Sequence, residues 1–232
     1  MQRNYVIIVA GGAGTRIGGD VPKQFLPLNG MPVMMHAIHA FAASKSSPHV
    51  VVVIHPAMRP LWSSLCNQHQ FSVTHTVADA GRTRFQSVKS GIDSIKHIEP
   101  DLQQSLIAVH DAARPLVTPS LIDCAYEMAA RTGAAALATP STNTVRIRSR
   151  YNLKNNTYPR ELVYLMQTPQ IFNGAILCEA YEQPEDETFT DDASVVEKKG
   201  YPITLVNGDT RNLKITFPED LRIAELLLRQ PV

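Results

Sequence analysis

The sequence predicts an α/β fold in which a mostly parallel sheet carries helices on both faces and a β-arm protrudes from it. Short apolar, β-branched runs alternate with longer segments that carry helix start signals. Parallel strands need crossover helices of this kind, and these then cover both faces of the sheet. Residues 140–166 break the rhythm with short polar segments. At 232 residues, we expect a single domain that includes this arm.

Six apolar runs predict strands, at residues 5–10, 50–54, 71–77, 105–109, 134–138 and 203–206. Proline, which suits the first turn of a helix, marks several helix starts. Pro32 opens "PVMMHAIHAF", Thr118 is the predicted cap before Pro119, and Pro218 opens "PEDLRIAELLL". Helical spacing places four apolar residues of this last segment on one face, as is typical of a helix packed on a core: Leu221, Ala224, Leu227 and Leu228.

The interrupting segment, "PSTNTVRIRSRYNLKNNTYPRELVYLM", has no apolar face of helix length. Its alternating pattern predicts two strands of an arm joined by the turn "YNLKNN". An arm of this kind has no core of its own. We therefore expect it to bury Val145, Ile147 and Leu162 against a second copy of the chain and to form a homodimer.

A glycine-rich loop, "AGGAGTRIGGDVPKQF" at residues 10–25, follows the first predicted strand. Glycines between a strand and a helix let backbone N–H groups approach phosphate closely. The dinucleotide pattern GxGxxG fails because Ile17 stands where the third glycine belongs, and the Walker pattern is absent. Glycines alone also fit a structural turn. The two cations of the same loop, Arg16 and Lys23, favour a polyphosphate ligand instead.

Composition argues against several classes of protein. With a formal net charge of +1 and 19% charged residues, the chain shows no sign of binding nucleic acid or a membrane surface. The three cysteines, Cys66, Cys124 and Cys178, are widely spaced and include no CxxC pair, so they predict neither a disulfide framework nor a zinc site. The first apolar run is too short for a signal peptide, and no apolar run approaches the ~20 residues of a membrane span. We expect a cytoplasmic protein.

Further sequence motifs narrow the function that the glycine-rich loop indicates. They are "AGRTRFQSV" at 80–88, "VHDAARPLV" at 109–117, "QTPQIF" at 167–172, "TDDASVVEKKG" and "NLKITFPEDL". In this order, and through nearly the whole chain, they resemble the 2-C-methyl-D-erythritol 4-phosphate cytidylyltransferase family of the non-mevalonate isoprenoid pathway. The resemblance implies a Rossmann-like fold of the nucleotidyltransferase type. It also implies transfer of CMP from CTP to the phosphate of a small sugar alcohol, with release of pyrophosphate and with Mg²⁺ as cofactor.

The chemistry agrees with the residues present. A substrate phosphate is mostly ionised at neutral pH because its second pKa is about 6, so it can attack the α-phosphate without a Ser-His or Cys-His nucleophile. The reaction instead needs cations that offset the charge of two polyanions. The resemblance assigns this catalytic role to Arg16, Lys23 and Lys214. From local pattern alone, Lys214 could equally be the polar face of an edge strand.

The resemblance also assigns the nucleotide contacts to Ala10, Gly11, Gly12, Gly14, Gly81, Arg84 and Ser87. Ser87 could alternatively cap the start of a helix. Arg82 is a departure, since some relatives have an acidic residue at that position.

The predicted substrate contacts are Asp111, Arg114, Thr144, Arg160 and Thr190. Asp111 could bind Mg²⁺ through water or hold a substrate hydroxyl, or it could form a structural salt bridge with Arg114. Thr190 could also cap a helix at 191–199. His110 is predicted to be structural, and Asn143 and Arg146 depart from the residues that relatives commonly have.

Two other functions remain open at this stage. A ribitol 5-phosphate cytidylyltransferase would share the loop and the cytidine site, but its members resemble "HDSVRP" where this chain has Ala112 and Ala113. A nucleotide-binding regulatory protein without catalysis would lack one of the paired lysines, and both are present. A dinucleotide oxidoreductase is disfavoured by the failed GxGxxG pattern.

Overall fold

The alternation seen in the sequence produces alternating strands and helices in the computed structural model, which describes residues 3–12, 21–149 and 154–229. The strands in these ranges are β1 (Arg3–Ala10), β2 (Pro27–Leu28), β3 (Met31–Pro32), β4 (His49–Ile54), β5 (His75–Asp79), β6 (Ser105–Asp111), β7 (Ala134–Pro140), β8 (Val145–Arg148), β9 (Asn155–Tyr158), β10 (Tyr164–Asn173) and β11 (Thr204–Asn207). The helices are α1 (Val33–Ala42), α2 (Arg59–Gln68), α3 (Arg84–Ile98), α4 (Pro119–Thr132), α5 (Gly174–Ala180), α6 (Asp192–Lys198) and α7 (Pro218–Arg229). In the described part of the chain, no helix has both the length and the apolar character needed to cross a lipid bilayer.

The central sheet has seven strands in the order β11-β7-β10-β6-β1-β4-β5. Neighbouring strands run parallel except at β10, which is antiparallel to both β6 and β7. The sheet is therefore mostly parallel, as predicted. The antiparallel strand β10 was not predicted, because its polar stretch "QTPQ" does not read as a strand and a register shift interrupts its pairing between Met166 and Gln170.

Helices cover both faces of the sheet, because alternate residues of each central strand point to opposite sides. On β1, Val6 and Ile8 belong to a core cluster that includes residues of α1, α2 and α4. Tyr5 and Ile7 belong to a second cluster that includes residues of α3, α5 and α6. The two-sided architecture predicted from the sequence is confirmed.

Helix α7 packs over the small β2–β3 hairpin. Ala224 is fully buried there with Leu28 and Ile215, and Leu221 and Leu228 pack against them. The predicted apolar face of this helix is therefore confirmed for three of its four residues, while Leu227 is not part of this core cluster. The cap predicted for α4 is also confirmed, since the Thr118 side chain accepts from the backbone N–H of Leu121 at 3.4 Å.

One predicted strand is displaced along the sequence. The prediction covered residues 71–77, whereas β5 spans His75–Asp79. Val50 of β4 pairs with His75, and Ile54 pairs with Asp79. Residues 71–74 precede this register, so they have no partner in β4 and form no strand, although Phe71 and Val73 are apolar.

The predicted arm forms a separate two-stranded antiparallel sheet, in which Val145 of β8 pairs with Tyr158 of β9. The arm spans fewer residues than predicted. Strand β7 ends at Pro140, and β10 begins at Tyr164, which pairs with Pro140. Residues 164–166 thus belong to the central sheet. On the segment between these two strands, Ile147 and Leu162 are 55% and 66% exposed, which is high for large apolar side chains.

Candidate active site

A cavity of about 340 Å³ opens where β1 and β6 end. Ligands of open α/β sheets bind at this carboxyl edge because the loops that follow the strands converge there. The cavity brings together predicted residues from five segments of the chain: Ala10, Gly11, Gly12, Lys23, Gly81, Arg84, Ser87, Asp111 and Lys214. Two of the predicted residues, Gly14 and Arg16, lie outside the described ranges.

Asp111, the last residue of β6, is the centre of a cluster of charges. Lys214 Nζ lies 2.8 Å from Asp111 Oδ2, while Arg114 Nε lies 3.6 Å from the same oxygen. Arg84 Nη2 lies 3.7 Å from Oδ1. Burial by itself would raise the pKa of Asp111, but Lys214 and Arg84 hold that pKa well below its usual range. Asp111 is therefore a carboxylate at neutral pH.

Asp111 is not part of a cluster of metal-binding side chains in the described residues. In the parts of the chain that the structure describes, no group of three or more His, Cys, Asp or Glu side chains is arranged to hold a metal ion. Asp111, a residue of the cavity wall, is already paired with Lys214 at 2.8 Å. The predicted metal contact of Asp111 thus gains no support from neighbouring carboxylates.

Lys214 lies in a segment without regular secondary structure, so the edge-strand interpretation is not what the structure shows. The next residue anchors this segment, because Ile215 N donates to Ala113 O at 2.8 Å. Lys23 Nζ donates at 2.6 Å to the carbonyl oxygen of Ile215, the residue that follows Lys214, and both predicted catalytic lysines line the cavity.

Gln24 is a cavity residue that the sequence analysis missed. Its side chain is buried and donates to Ala10 O at 2.7 Å and to Gly12 O at 3.1 Å. It thereby fixes the start of the glycine-rich loop where β1 ends. Its position beside Lys23 in "PKQF" is the only local signal, because the partner oxygens are 12 to 14 residues away.

The segment before α3 forms the opposite wall. Thr83 caps α3 by accepting from Gln86 N at 3.1 Å, so the alternative in which Ser87 caps this helix is wrong. Ser87 Oγ instead accepts from Gly81 N at 3.1 Å and donates to Thr83 O at 2.8 Å. Any side chain at Gly81 would collide with Gln86, since an added Cβ would lie 2.3 Å from the Gln86 Cβ.

Gly11 has a similar reason to be glycine. A Cβ there would lie 2.5 Å from Ala80 Cβ and 3.2 Å from Ser87 Oγ. The end of β1 and the segment before α3 are thus in close backbone contact, which places the two predicted nucleotide-binding segments side by side.

Arg84 lines the cavity, but its guanidinium is held by protein carboxylates. Nη1 and Nη2 donate to the two oxygens of Asp192 at 2.9 and 2.5 Å. Burial by itself would lower the pKa of Arg84. The carboxylate of Asp192 raises it, and the pKa of Arg84 is above its usual value as a result. Asp192 was not predicted, because it lies 108 residues from Arg84 and only the fold brings them together.

Arg114 is not among the residues that line the cavity. Its Nη1 donates to Asn212 O at 2.8 Å, and its Nη2 lies 3.4 Å from Met166 O. Its ion pair with Asp111 fits the alternative of a structural salt bridge, and its bond to Asn212 O also ties Arg114 to the segment that leads to Lys214.

His110 contacts the same region from the interior of the protein. It is fully buried, its Nε2 lies 3.1 Å from Arg114 O, and its Nδ1 lies 3.1 Å from Thr168 Oγ1. Burial lowers the pKa of His110 to about 4, so the imidazole is neutral at neutral pH. The predicted structural role of His110 agrees with this environment.

The remaining predicted substrate contacts do not line the cavity of their own chain. Thr144 is exposed on the arm, and Arg160 is exposed with its Nη1 3.2 Å from Thr142 O. Thr190 is also exposed, and it does not cap α6. Asp191 is the cap, since its side chain accepts from Ser194 N at 2.9 Å.

Comparison with known proteins places this site in a family. The family model described as 2-C-methyl-D-erythritol 4-phosphate cytidylyltransferase matches residues 4–230. A protein of that name from Phocaeicola vulgatus is 44% identical over 227 residues, which cover 98% of this chain and 100% of the relative. Another from Porphyromonas gingivalis is 43% identical over 233 residues, with 98% of each chain covered.

Solved structures agree with the sequence comparison. The crystal structure of 2-C-methyl-D-erythritol 4-phosphate cytidylyltransferase from Thermus thermophilus superposes with a TM-score of 0.76 at 31% identity, covering 98% of this chain and 100% of the other. The corresponding structure from Francisella tularensis gives a TM-score of 0.76 at 28% identity, covering 97% and 99%. The chain therefore belongs to the 2-C-methyl-D-erythritol 4-phosphate cytidylyltransferase family.

Proposed function

We propose that this protein transfers CMP from CTP to the phosphate of 2-C-methyl-D-erythritol 4-phosphate. The observation that carries the proposal is the convergence of Lys23, Lys214 and the Gly81–Ser87 wall on one cavity, in a chain of this family. A volume of about 340 Å³ suits a small-molecule ligand.

The reaction is a direct in-line displacement. An oxygen of the substrate phosphate forms a bond to the α-phosphorus of CTP, the bond from that phosphorus to the bridging oxygen breaks, and pyrophosphate leaves with the electron pair. The attacking oxygen is already ionised, so no general base is required. Lys23 and Lys214 supply positive charge where negative charge grows in the transition state. Arg16, by resemblance, adds to this charge from the glycine-rich loop.

We propose Mg²⁺ as the metal of this metal-dependent class of enzymes. When bound, the ion would supply positive charge that offsets part of the charge of the triphosphate. The described residues around Asp111 present cations rather than a cluster of carboxylates, so the oxygens of CTP would be its principal ligands. Asp111 is proposed to position Lys214 and the substrate.

The direct test is pyrophosphate release by the purified protein with CTP and Mg²⁺. We expect release with 2-C-methyl-D-erythritol 4-phosphate and little release with ribitol 5-phosphate at the same concentration. Release with ribitol 5-phosphate alone would favour the sister activity. CTP binding without release in either mixture would favour a regulatory protein.

Ser87→Ala should weaken nucleotide binding more than it slows chemistry. Its hydroxyl bridges Gly81 N and Thr83 O, so its loss loosens the wall proposed to hold cytosine. We expect KM for CTP to rise about tenfold, the worth of roughly one hydrogen bond in a buried site, with a smaller change in kcat. Steady-state kinetics with CTP, UTP and ATP measure this. An equal loss against all three nucleotides would contradict the assignment of this wall to the base.

We also propose that the protein is a homodimer in which the arm of one subunit completes the site of the other. Ile147 and Leu162 are exposed in the single chain, and Thr144 and Arg160 lie outside the cavity of their own chain. A two-fold exchange of arms would bury Ile147 and Leu162 against the partner. It would also bring Thr144 and Arg160 to the substrate of the partner subunit.

A further inference from the structure

Asp192 is a buried carboxylate to which the proposed reaction gives no role. It is the first residue of α6, and its exposed fraction is 0%. Both oxygens accept from Arg84, and Oδ1 also accepts from the hydroxyl of Tyr181 at 2.6 Å. A carboxylate removed from water to this degree needs such partners, since an unpaired buried charge is strongly destabilising.

The position of Asp192 is fixed from the central sheet. Gln170 of β10 is buried, donates to Asp191 Oδ2 at 2.8 Å and accepts from Ala193 N at 2.8 Å. Gln170 thus holds the residues on either side of Asp192. Because the start of α6 is attached to β10 in this way, the carboxylate cannot readily follow Arg84 if the guanidinium moves.

Arg84 lies between two carboxylates. Its Nη2 is 2.5 Å from Asp192 Oδ2 and 3.7 Å from Asp111 Oδ1. Asp111 in turn lies 2.8 Å from Lys214 Nζ, so charges of opposite sign alternate from α6 to the cavity. A guanidinium can bind a carboxylate through two parallel hydrogen bonds, which an ammonium cannot do. A released Arg84 would therefore compete with Lys214 for Asp111.

We propose that Asp192 is a positioning residue that holds Arg84 back from Asp111 and thereby reserves Asp111 for Lys214. The carboxylate acts through Arg84 and touches neither substrate. The inference deepens the proposed function and rests on it for the role of Lys214. The arrangement of the three side chains can be tested independently of activity.

The principal test is the Asp192→Asn variant of the full chain. The crystal structure of this variant should show Arg84 paired through two nitrogens with Asp111, and Lys214 Nζ no longer within hydrogen-bonding distance of that carboxylate. We expect kcat to fall about tenfold to a hundredfold, since misplacing a catalytic group by about 1 Å has effects of this size. KM for CTP should change less.

Two variants separate positioning from stability. Tyr181→Phe removes a buried hydrogen bond to Asp192 but leaves both charges, so it should lower Tm without displacing Lys214. In the double variant Asp192→Asn/Arg84→Gln no unpaired charge remains and no guanidinium competes for Asp111. Arg84 is itself a predicted nucleotide contact, so the double variant is compared with Arg84→Gln. Because Asp192 acts only through Arg84, these two variants should have the same kcat at a temperature where both are folded, and Lys214 should again be paired with Asp111 in the double variant.

Several results would overturn the inference. They are a folded Asp192→Asn variant with wild-type kcat, an Asp111–Lys214 pair unchanged in its structure, or a double variant slower than Arg84→Gln. If Asp192→Asn does not fold, the double variant decides, and displacement of Lys214 there would contradict the proposal. A wild-type protein that releases no pyrophosphate would instead refute the proposed function, while the crystal structures would still report on the role of Asp192.

Discussion

Lys214→Ala should lower kcat about 10²- to 10³-fold, the usual effect of removing one group that stabilises charge in a transition state. Lys214 reaches the cavity from a segment anchored by Ile215, and its ammonium is oriented by Asp111 at 2.8 Å. Its contribution is largest when the α-phosphorus carries both the incoming and the leaving oxygen. KM for CTP should therefore change less than kcat.

Steady-state pyrophosphate release measures both constants, and circular dichroism checks that the variant is folded. The matched control is Lys199→Ala, because Lys199 forms a surface ion pair with Glu179 at 3.5 Å and lies outside the cavity wall. This control should retain wild-type kcat. A folded Lys214→Ala variant with near-normal kcat would show that Lys214 is a surface lysine and that its proposed role is wrong.

Mixing two inactive variants, Lys23→Ala and Arg160→Ala, should restore activity if the arm acts in the partner's site. Lys23 lines the cavity of its own chain, whereas Arg160 is exposed on the arm and outside that cavity. Arg160 is suited to the substrate phosphate, since a guanidinium offers a planar pair of donors. In a mixed dimer, one site would then carry both defects and the other site neither.

With random exchange, half of the dimers are mixed, so about a quarter of all sites should recover. The matched control is a mixture of Lys23→Ala with Lys214→Ala. Both lysines lie in one cavity of one chain, so every site of a mixed dimer keeps one defect and no activity should return. Mass spectrometry of differently tagged subunits establishes that exchange has occurred. If exchanged Lys23→Ala and Arg160→Ala subunits stay inactive, Arg160 works within its own chain.

Local sequence patterns were sufficient to predict most of the fold. The central strands, the start of α4 at Thr118 and the apolar face of α7 follow from periodicity and capping, which involve residues close in sequence. Strand β5 begins later than predicted because its limits depend on the register with β4. The antiparallel β10 could not be predicted from apolar pattern, since its polar stretch "QTPQ" interrupts the apolar run and only pairing of residues 170–172 with both β6 and β7 places this strand in the sheet.

The sequence by itself determined the family, the glycine-rich loop and the cations that a reaction between two polyanions needs. Only the tertiary structure decided how those cations are used. Arg84 is bound by Asp192 across 108 residues, and Lys23 donates to Ile215 across 192 residues. Such contacts are set by the fold, which brings α3 and α6 into one core cluster and residues 23 and 215 into contact. Because they join residues that no local periodicity relates, they become visible only when the chain is folded.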